Sequence, residues 1–376
     1  MNESIIIKNA MVFCEDRQFH QKTILIKNRI IADVCDTIPA NFSYDTLIDA
    51  TDCYVIPGLV DIHSHGAVGY DFSDGDSEGI LKILEYEKAH GITSYCPTSM
   101  TLSKKALTKV FSSVSDACNR LEPTHANLAG INMEGPFLDP SKKGAHAEEN
   151  IIEPDIDFFN YCNAQSQNRI KLVTIAPNMP HAFSFIEALK TKVNISLGHT
   201  SCDYATAAKA FALGANHVTH LYNAMLPFAH RNPGLIGAAF DCRECMPELI
   251  CDGIHVHESM VRATFSLFRD RVVLISDSMR ATGLTNGTYD LGGQTVTVKD
   301  KLATLADKTI AGSVTNLFDC MLTAISFGVP ATEAIAAATI NPAKSISIDH
   351  EAGVIAKNRK ADLLLLDSDY RLIKVF

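Results

Sequence analysis

The chain has 376 residues, 47% of them hydrophobic, and a formal net charge of −10. That length supports one large core with a small second unit, and the acidity argues against general nucleic-acid or membrane-surface binding. No run reaches the roughly 18 apolar residues of a transmembrane helix, so neither a nucleic acid nor a membrane is an expected partner, and an anionic substrate would need a local cluster of positive side chains.

In chain order, the N-terminus MNESIIIKNAMVF lacks the basic start and long apolar stretch of an export signal. Residues 1–55 read as short strands rich in Ile and Val, SIIIKNAMVF, KTILIKNRIIADV and DTLIDATDCYVI, separated by polar turns. The C-terminus returns to this style in GVIAKNRKADLLLLDSDYRLIKVF. Residues 1–55 plus 348–376 are therefore expected to form a small β-sandwich domain built from both ends.

Residues 56–347 behave differently. Eight short apolar stretches read as strands: VIPGLVDIHSH (55–65), GITSYCPTS (91–99), NLAGINMEGP (127–136), RIKLVTIAP (169–177), VNISLGHT (193–200), ANHVTHLYN (215–223), PELICDGIH (247–255) and RVVLISDSM (271–279). Helix-like segments such as SEGILKILEYEKAH, SKKALTKVFSSVSDACNRL and DYATAAKAFALGA lie between them. Eight such alternations are the pattern of an α/β fold with a (β/α)8 TIM-like barrel. An open doubly wound sheet would carry a Gly-rich phosphate fingerprint after its first strand, and none is present. Eleven cysteines, an odd number, fit reduced thiols in the cytoplasm. The one C-x-x-C spacing, Cys242 to Cys245, has no second pair to complete a zinc site and reads as a surface turn.

A barrel of this type places its active site at the C-terminal ends of the strands. Those ends carry His63 and His65, Glu134, His199, His220, Asp252 with His255, and Asp277. One strand-end His is more often structural, and one Asp there is often a helix cap. The set is harder to explain as caps. His63 and His65, at i and i+2, face one side of a strand. His199 and His220 are 21 residues apart, which fits one helix plus one strand. Histidine with carboxylate is a usual ligand set for zinc or iron. His217, three residues before His220, is read as packing on the opposite face, and His257 as a solvated helix start.

Longer motifs sharpen this. PGLVDIHSHG (57–66), MEGPFLDPSKKGAH (133–146), LGHTSCDY (197–204), VTHLYNAM (218–225), RNPGLIGAAF (231–240), CDGIHV (251–256), ISDSMRATG (275–283) and AGSVTNL (311–317) run in order along nearly the whole chain. The chain resembles the amidohydrolase superfamily and, within it, the N-acetylglucosamine-6-phosphate deacetylase family. The fourth strand supports the narrower likeness. It ends in Ile175-Ala176-Pro177, and its only lysine, Lys171, lies near its start, so no carboxylated lysine is available to bridge metals.

The resemblance implies a primary divalent-metal site at Glu134, His199 and His220, zinc or iron being the first choices. It leaves open a second metal at His63 and His65. It implies Asp277 as the residue that takes a proton from water and delivers it to the leaving amine, and His146 as the group that polarises the substrate carbonyl. Substrate contacts implied are Ala145, His146, Asn223, Ala224, Arg231, Asp252, His255, Ile310, Ala311 and Gly312. Arg231 would bind phosphate in a neighbouring subunit, so a homodimer is implied. The expected reaction is hydrolysis of N-acetyl-D-glucosamine 6-phosphate to D-glucosamine 6-phosphate and acetate. The rivals are the same chemistry on the galacto sugar, a cyclic amidohydrolase and a non-catalytic scaffold. Relatives commonly continue for one more strand after YRLIKVF, so the terminal domain is expected to be smaller or paired differently.

Overall fold

A computed structural model describes residues 3–376. Strands β1 (Ser4–Phe13), β2 (Phe19–Lys27) and β3 (Ile30–Cys35) form an antiparallel meander. Their β-branched residues suit a pleated, half-buried surface, and Ile7, Val12, Ile24, Ile26 and Ile31 supply its core. β4 (Thr46–Asp49) and β5 (Tyr54–Pro57) add parallel to successive parts of β1.

At Gly58 the chain leaves this sheet for the barrel. A Cβ there would lie 2.1 Å from Thr93 Oγ1, so the close approach needs glycine. The barrel strands follow: β6 (Leu59–Ser64), β7 (Ile92–Ser99), β8 (Ile131–Glu134), β9 (Ile170–Ile175), β10 (Asn194–Leu197), β11 (His217–Val218), β12 (Met246–Ile250) and β13 (Val273–Ile275). Each pairs in parallel with the next. Loop backbone closes the ring: the Asp277 N–H donates to His63 O at 2.9 Å and the His65 N–H to Ser278 O at 2.8 Å. This is the expected (β/α)8 barrel. Its strands are shorter than their apolar windows, and several windows, such as those holding His199, His220 and Asp277, ran on into the turn that carries a site residue.

Several helices begin at side-chain caps. Asp76 caps Ser77–Ala89, Ser103 caps Lys104–Asn119 and Asp203 caps Tyr204–Leu213, each accepting backbone N–H groups of the first turn. His257 likewise caps Glu258–Phe268. Between β13 and the helix Leu317–Ser326, an antiparallel excursion of β14 (Gly287–Leu291), β15 (Gln294–Lys299) and β16 (Leu302–Thr304) packs through Leu291, Val296 and Val298 onto Met100 and Met279. The sequence reading passed over this insertion, although QTVTVK alternates as a half-buried strand should.

The last strands, β17 (Leu363–Leu366) and β18 (Leu372–Val375), return to the first sheet, giving the order β18-β17-β5-β1-β2-β3 with β4 on β1. All seven join in one hydrogen-bonded sheet. Ile348 and Ala352 pack with Val60, Ile62 and Leu172 of the barrel, whereas Ile355 and Ala361 pack with the terminal sheet. Among the described residues no helix is long and apolar enough to cross a membrane.

Candidate active site

Five strand ends aim side chains into one buried cluster. β6 carries His63 and leads to His65, and β8 ends on Glu134. His199, His220 and Asp277 follow β10, β11 and β13, and all three adopt left-handed backbone, with φ of 45°, 27° and 48°. Such a conformation costs an L-residue about 1–2 kcal/mol. Hydrogen bonds fix each turn: the Asp139 N–H donates to His199 O at 3.0 Å, the Leu221 N–H to Glu248 O at 2.8 Å and the Ser313 N–H to Asp277 O at 2.7 Å. These turns explain why period-two counting failed at His217. The chain leaves strand geometry after Val218, so His217 is buried against Ser196 Oγ (3.2 Å) and Glu248 (3.7 Å), below His220 rather than on an outer face.

Glu134, 2% exposed, stands at the centre and faces two ways. Its Oε1 lies 3.1 Å from His199 Nε2 and 3.0 Å from His220 Nε2. Its Oε2 lies 3.4 Å from His63 Nε2, 3.3 Å from His65 Nε2 and 3.5 Å from His146 Nε2. Asp277 Oδ1 joins the second half, 3.5 Å from His63 Nε2 and 3.3 Å from His65 Nε2.

The outer nitrogens assign the tautomers. A carbonyl can only accept, so the His199 Nδ1–H donates to Lys142 O at 2.8 Å and the His65 Nδ1–H to Thr98 O at 3.1 Å. Glu248 Oε2 accepts the His63 Nδ1–H at 2.9 Å and the His220 backbone N–H at 3.0 Å. Each of these three rings therefore turns a bare Nε2 lone pair toward the carboxylates, the arrangement of a metal-ligating histidine held by an outer acceptor. His146 is reversed. Its Nδ1 accepts the Thr101 N–H at 3.1 Å, which puts its proton on Nε2. Its spacing to Glu134 and His199 is short enough for a shared ion, yet this tautomer makes it a donor into the site rather than a ligand.

Electrostatics follow the same division. Burial disfavours charge on His63, but Glu248, Glu134 and Asp277 outweigh it and hold its pKa well above the ordinary value. Burial is likewise overcome at His65, raised to about 10 by Asp277 and Glu134. Burial would push Asp277 up, but His63 and His65 bring it down to about 2. His146 goes the other way, to about 4, because burial outweighs Glu134. It is neutral at pH 7. The carboxylates around His63 and His65 thus favour positive charge between them, as a centre for a divalent ion requires.

The cluster opens into a cavity of about 460 Å³. Ala145, His146, Asn223, Ala224, His255, Ile310 and Gly312 line it. Ala311 is fully buried, its N–H donating to Ala303 O at 3.1 Å. Asp252 stands behind His255, accepting the His255 Nδ1–H at 2.7 Å. Arg231 is exposed and absent from this wall, in a stretch that also exposes Leu226 and Phe228. The Cys242–Cys245 stretch is a surface turn as expected, with Arg243 and Glu244 exposed and the Cys245 N–H donating to Cys242 O at 3.2 Å; Cys245 itself is fully buried, and Arg271 Nη1 donates to its carbonyl at 2.9 Å.

Sequence reading missed Glu248. Its signal was a charged residue inside the apolar strand MPELI, where full burial demands a partner. It also missed Lys142, Lys143, Asp307 and Thr309 on the cavity wall, which lie on loops without periodicity.

Comparison with known proteins agrees with this geometry. The model of the Amidohydrolase family matches residues 54–376. An N-acetylglucosamine-6-phosphate deacetylase of Bacillus subtilis is 34% identical, covering 99% of this chain and 96% of that protein. An N-acetylgalactosamine-6-phosphate deacetylase of Escherichia coli O157:H7 is 30% identical over 85% of each. Among solved structures, a mutant N-acetyl-D-glucosamine-6-phosphate deacetylase of Mycobacterium smegmatis in complex with N-acetyl-D-glucosamine-6-phosphate superposes with a TM-score of 0.91 at 27% identity, covering 100% of this chain and 97% of that one. The N-acetylglucosamine-6-phosphate deacetylase of Thermotoga maritima gives 0.88 at 27% identity, covering 99% and 97%. With the barrel, the buried His–Glu–Asp cluster and a family match over most of its length, this chain belongs to the amidohydrolase family.

Proposed function

We propose that the chain hydrolyses the acetamide of N-acetyl-D-glucosamine 6-phosphate to D-glucosamine 6-phosphate and acetate, in amino-sugar catabolism or recycling. The observation that carries this reading is the pairing of a metal-ready Glu134–His199–His220 group with a separate acid, Asp277, and a neutral donor, His146, on one cavity. The names of the relatives supply the substrate class.

Glu134, His199 and His220 would hold a primary divalent cation, with zinc or iron the first choices, and His63 and His65 a second one sharing Glu134. A cation so placed supplies Lewis acidity, acidifying water and drawing charge from a carbonyl oxygen. The chain's own residues do the rest. Asp277, ionised at neutral pH, takes the proton of the attacking water and passes it to the departing amine nitrogen, so the C–N bond breaks as amine and acetate form. The His146 Nε2–H donates to the carbonyl oxygen as negative charge develops there. The sugar ring is assigned to the wall of Asn223, Ala224, Ile310 and Gly312, with Ala311 buried behind it and Asp252 orienting His255 toward it.

Acetate release from the N-acetylated gluco and galacto 6-phosphates tests the assignment. Turnover is expected on the gluco sugar. A preference for the galacto sugar would move the chain to the alternative represented by the E. coli relative, and metal-replete protein inert on both would overturn deacetylation.

His146→Ala is expected to lower kcat by about 10²–10³-fold, as loss of one oxyanion donor does, while metal content stays unchanged. Loss of metal in that variant would make His146 a ligand.

Phosphate is assigned to Arg231 of a second subunit, consistent with its absence from its own cavity wall and with the exposed Leu226 and Phe228 beside it. Wild-type protein should sediment as a homodimer. Mixing an Arg231→Ala chain with an Asp277→Asn chain should restore part of the activity that each lacks alone, because one mixed site regains both groups. No recovery in verified heterodimers would place Arg231 elsewhere.

A further inference from the structure

At the barrel end opposite the cluster, the starts of β7 and β9 meet the terminal sheet in a cleft. Two cavities of about 460 and 330 Å³ adjoin there and share Asn127, Lys360 and Asp362. Five cations line them: Arg29, Lys88, Arg169, Lys171 and Lys360. The acids are Glu122, Glu351 and Asp362. Lys88 lies 3.7 Å from Asp362, and Glu351 is paired with His350 at 3.2 Å. Among the described residues, Arg29, Arg169, Lys171 and Lys360 have no carboxylate within 4.0 Å.

Positive charge left uncompensated is notable on a chain of net charge −10. One buried polar atom in the walls also lacks a partner, Arg169 Nε. A buried polar atom without a hydrogen bond is costly, and a ligand or water must satisfy it. By contrast, the larger cavity of about 720 Å³ beside the Asp16–Gln18 hairpin sets Arg17, Arg262 and Arg269 against Asp16, Asp270 and Glu333, and so has no net charge to offer.

We propose that the cleft binds a phosphate-bearing small molecule at a site separate from the catalytic cavity. A phosphate dianion offers several acceptor oxygens to a guanidinium fork and nearby ammonium groups. The two cavities are of the size that small-molecule sites occupy, about 300–1,000 Å³. A polynucleotide is disfavoured by the chain's net charge of −10. Lys171 belongs to this site. The lysine that cannot serve the metal centre, because it stands at the wrong end of its strand, faces the cleft instead.

The test uses metal-loaded full-length protein at fixed ionic strength. Inorganic phosphate, glucose 6-phosphate (which has no acetamide to hydrolyse) and citrate are titrated by calorimetry into wild type and into a Lys171→Ala/Lys360→Ala variant. Saturable binding of glucose 6-phosphate to wild type, weakened at least tenfold in the double variant with kcat/KM unchanged, supports the site. Retention of affinity in Lys360→Arg supports it further, because charge rather than shape is then what matters. Equal affinity in wild type and double variant would place the ligand in the catalytic cavity and overturn the proposal. Citrate binding as tightly as glucose 6-phosphate would overturn its phosphate selectivity.

Discussion

Asp277→Asn is expected to keep the primary metal at Glu134, His199 and His220 and its substrate affinity while kcat falls by about 10²–10⁴-fold, the range carried by a positioned general acid–base. The geometry separates the two properties. Glu134, His199 and His220 contact one another through Oε1 of the glutamate, whereas Asp277 meets His63 and His65 on the other half. An amide of the same shape preserves the turn that Ser313 N–H and His63 O hold around residue 277, because both bonds are to backbone. What it removes is the ability to accept a proton. Metal analysis, inhibitor affinity and steady-state kinetics on the same preparation check this. Near-normal turnover would take Asp277 out of the mechanism.

The site was legible to the extent that it lay on strand ends. His63, His65, Glu134, His199 and His220 sit where a barrel places chemistry, and reading only those positions isolated them from fourteen histidines along the chain. Two kinds of feature were not legible. Tautomers depend on what stands behind each ring, and those acceptors come from distant segments: the carbonyls of Lys142 and Thr98, and Glu248, 185 residues from His63. Parity was the other. A period-two argument holds while the backbone stays extended, and it broke at His220 because that residue is left-handed. The β14–β16 insertion escaped for a different reason. It interrupts the βα alternation after the barrel is already complete, so nothing in the eightfold pattern called for it.

Glu134→Ala should lose the metal outright, and with it activity. Outer partners of a metal site are worth about 10–100-fold in affinity, and Glu134 is more than that. It is the one carboxylate common to both halves, with an oxygen within 3.5 Å of each of five imidazoles. Without it, His199 and His220 retain only two imidazole nitrogens, and no anion offsets the charge of an ion on that side. A second readout separates metal loss from simple damage. Binding to the folded state alone stabilises by about 4 kcal/mol when free ligand is 1,000 times its Kd, so wild-type Tm should fall on chelation and recover on adding metal. Glu134→Ala should unfold at one temperature whether chelator or metal is present, near that of the stripped wild type. Glu134→Gln keeps the volume and removes the charge, and it should share this indifference. A metal-replete Glu134→Ala protein whose Tm still falls with chelator would show that the histidines suffice, and that the carboxylate at the end of β8 serves packing rather than the ion.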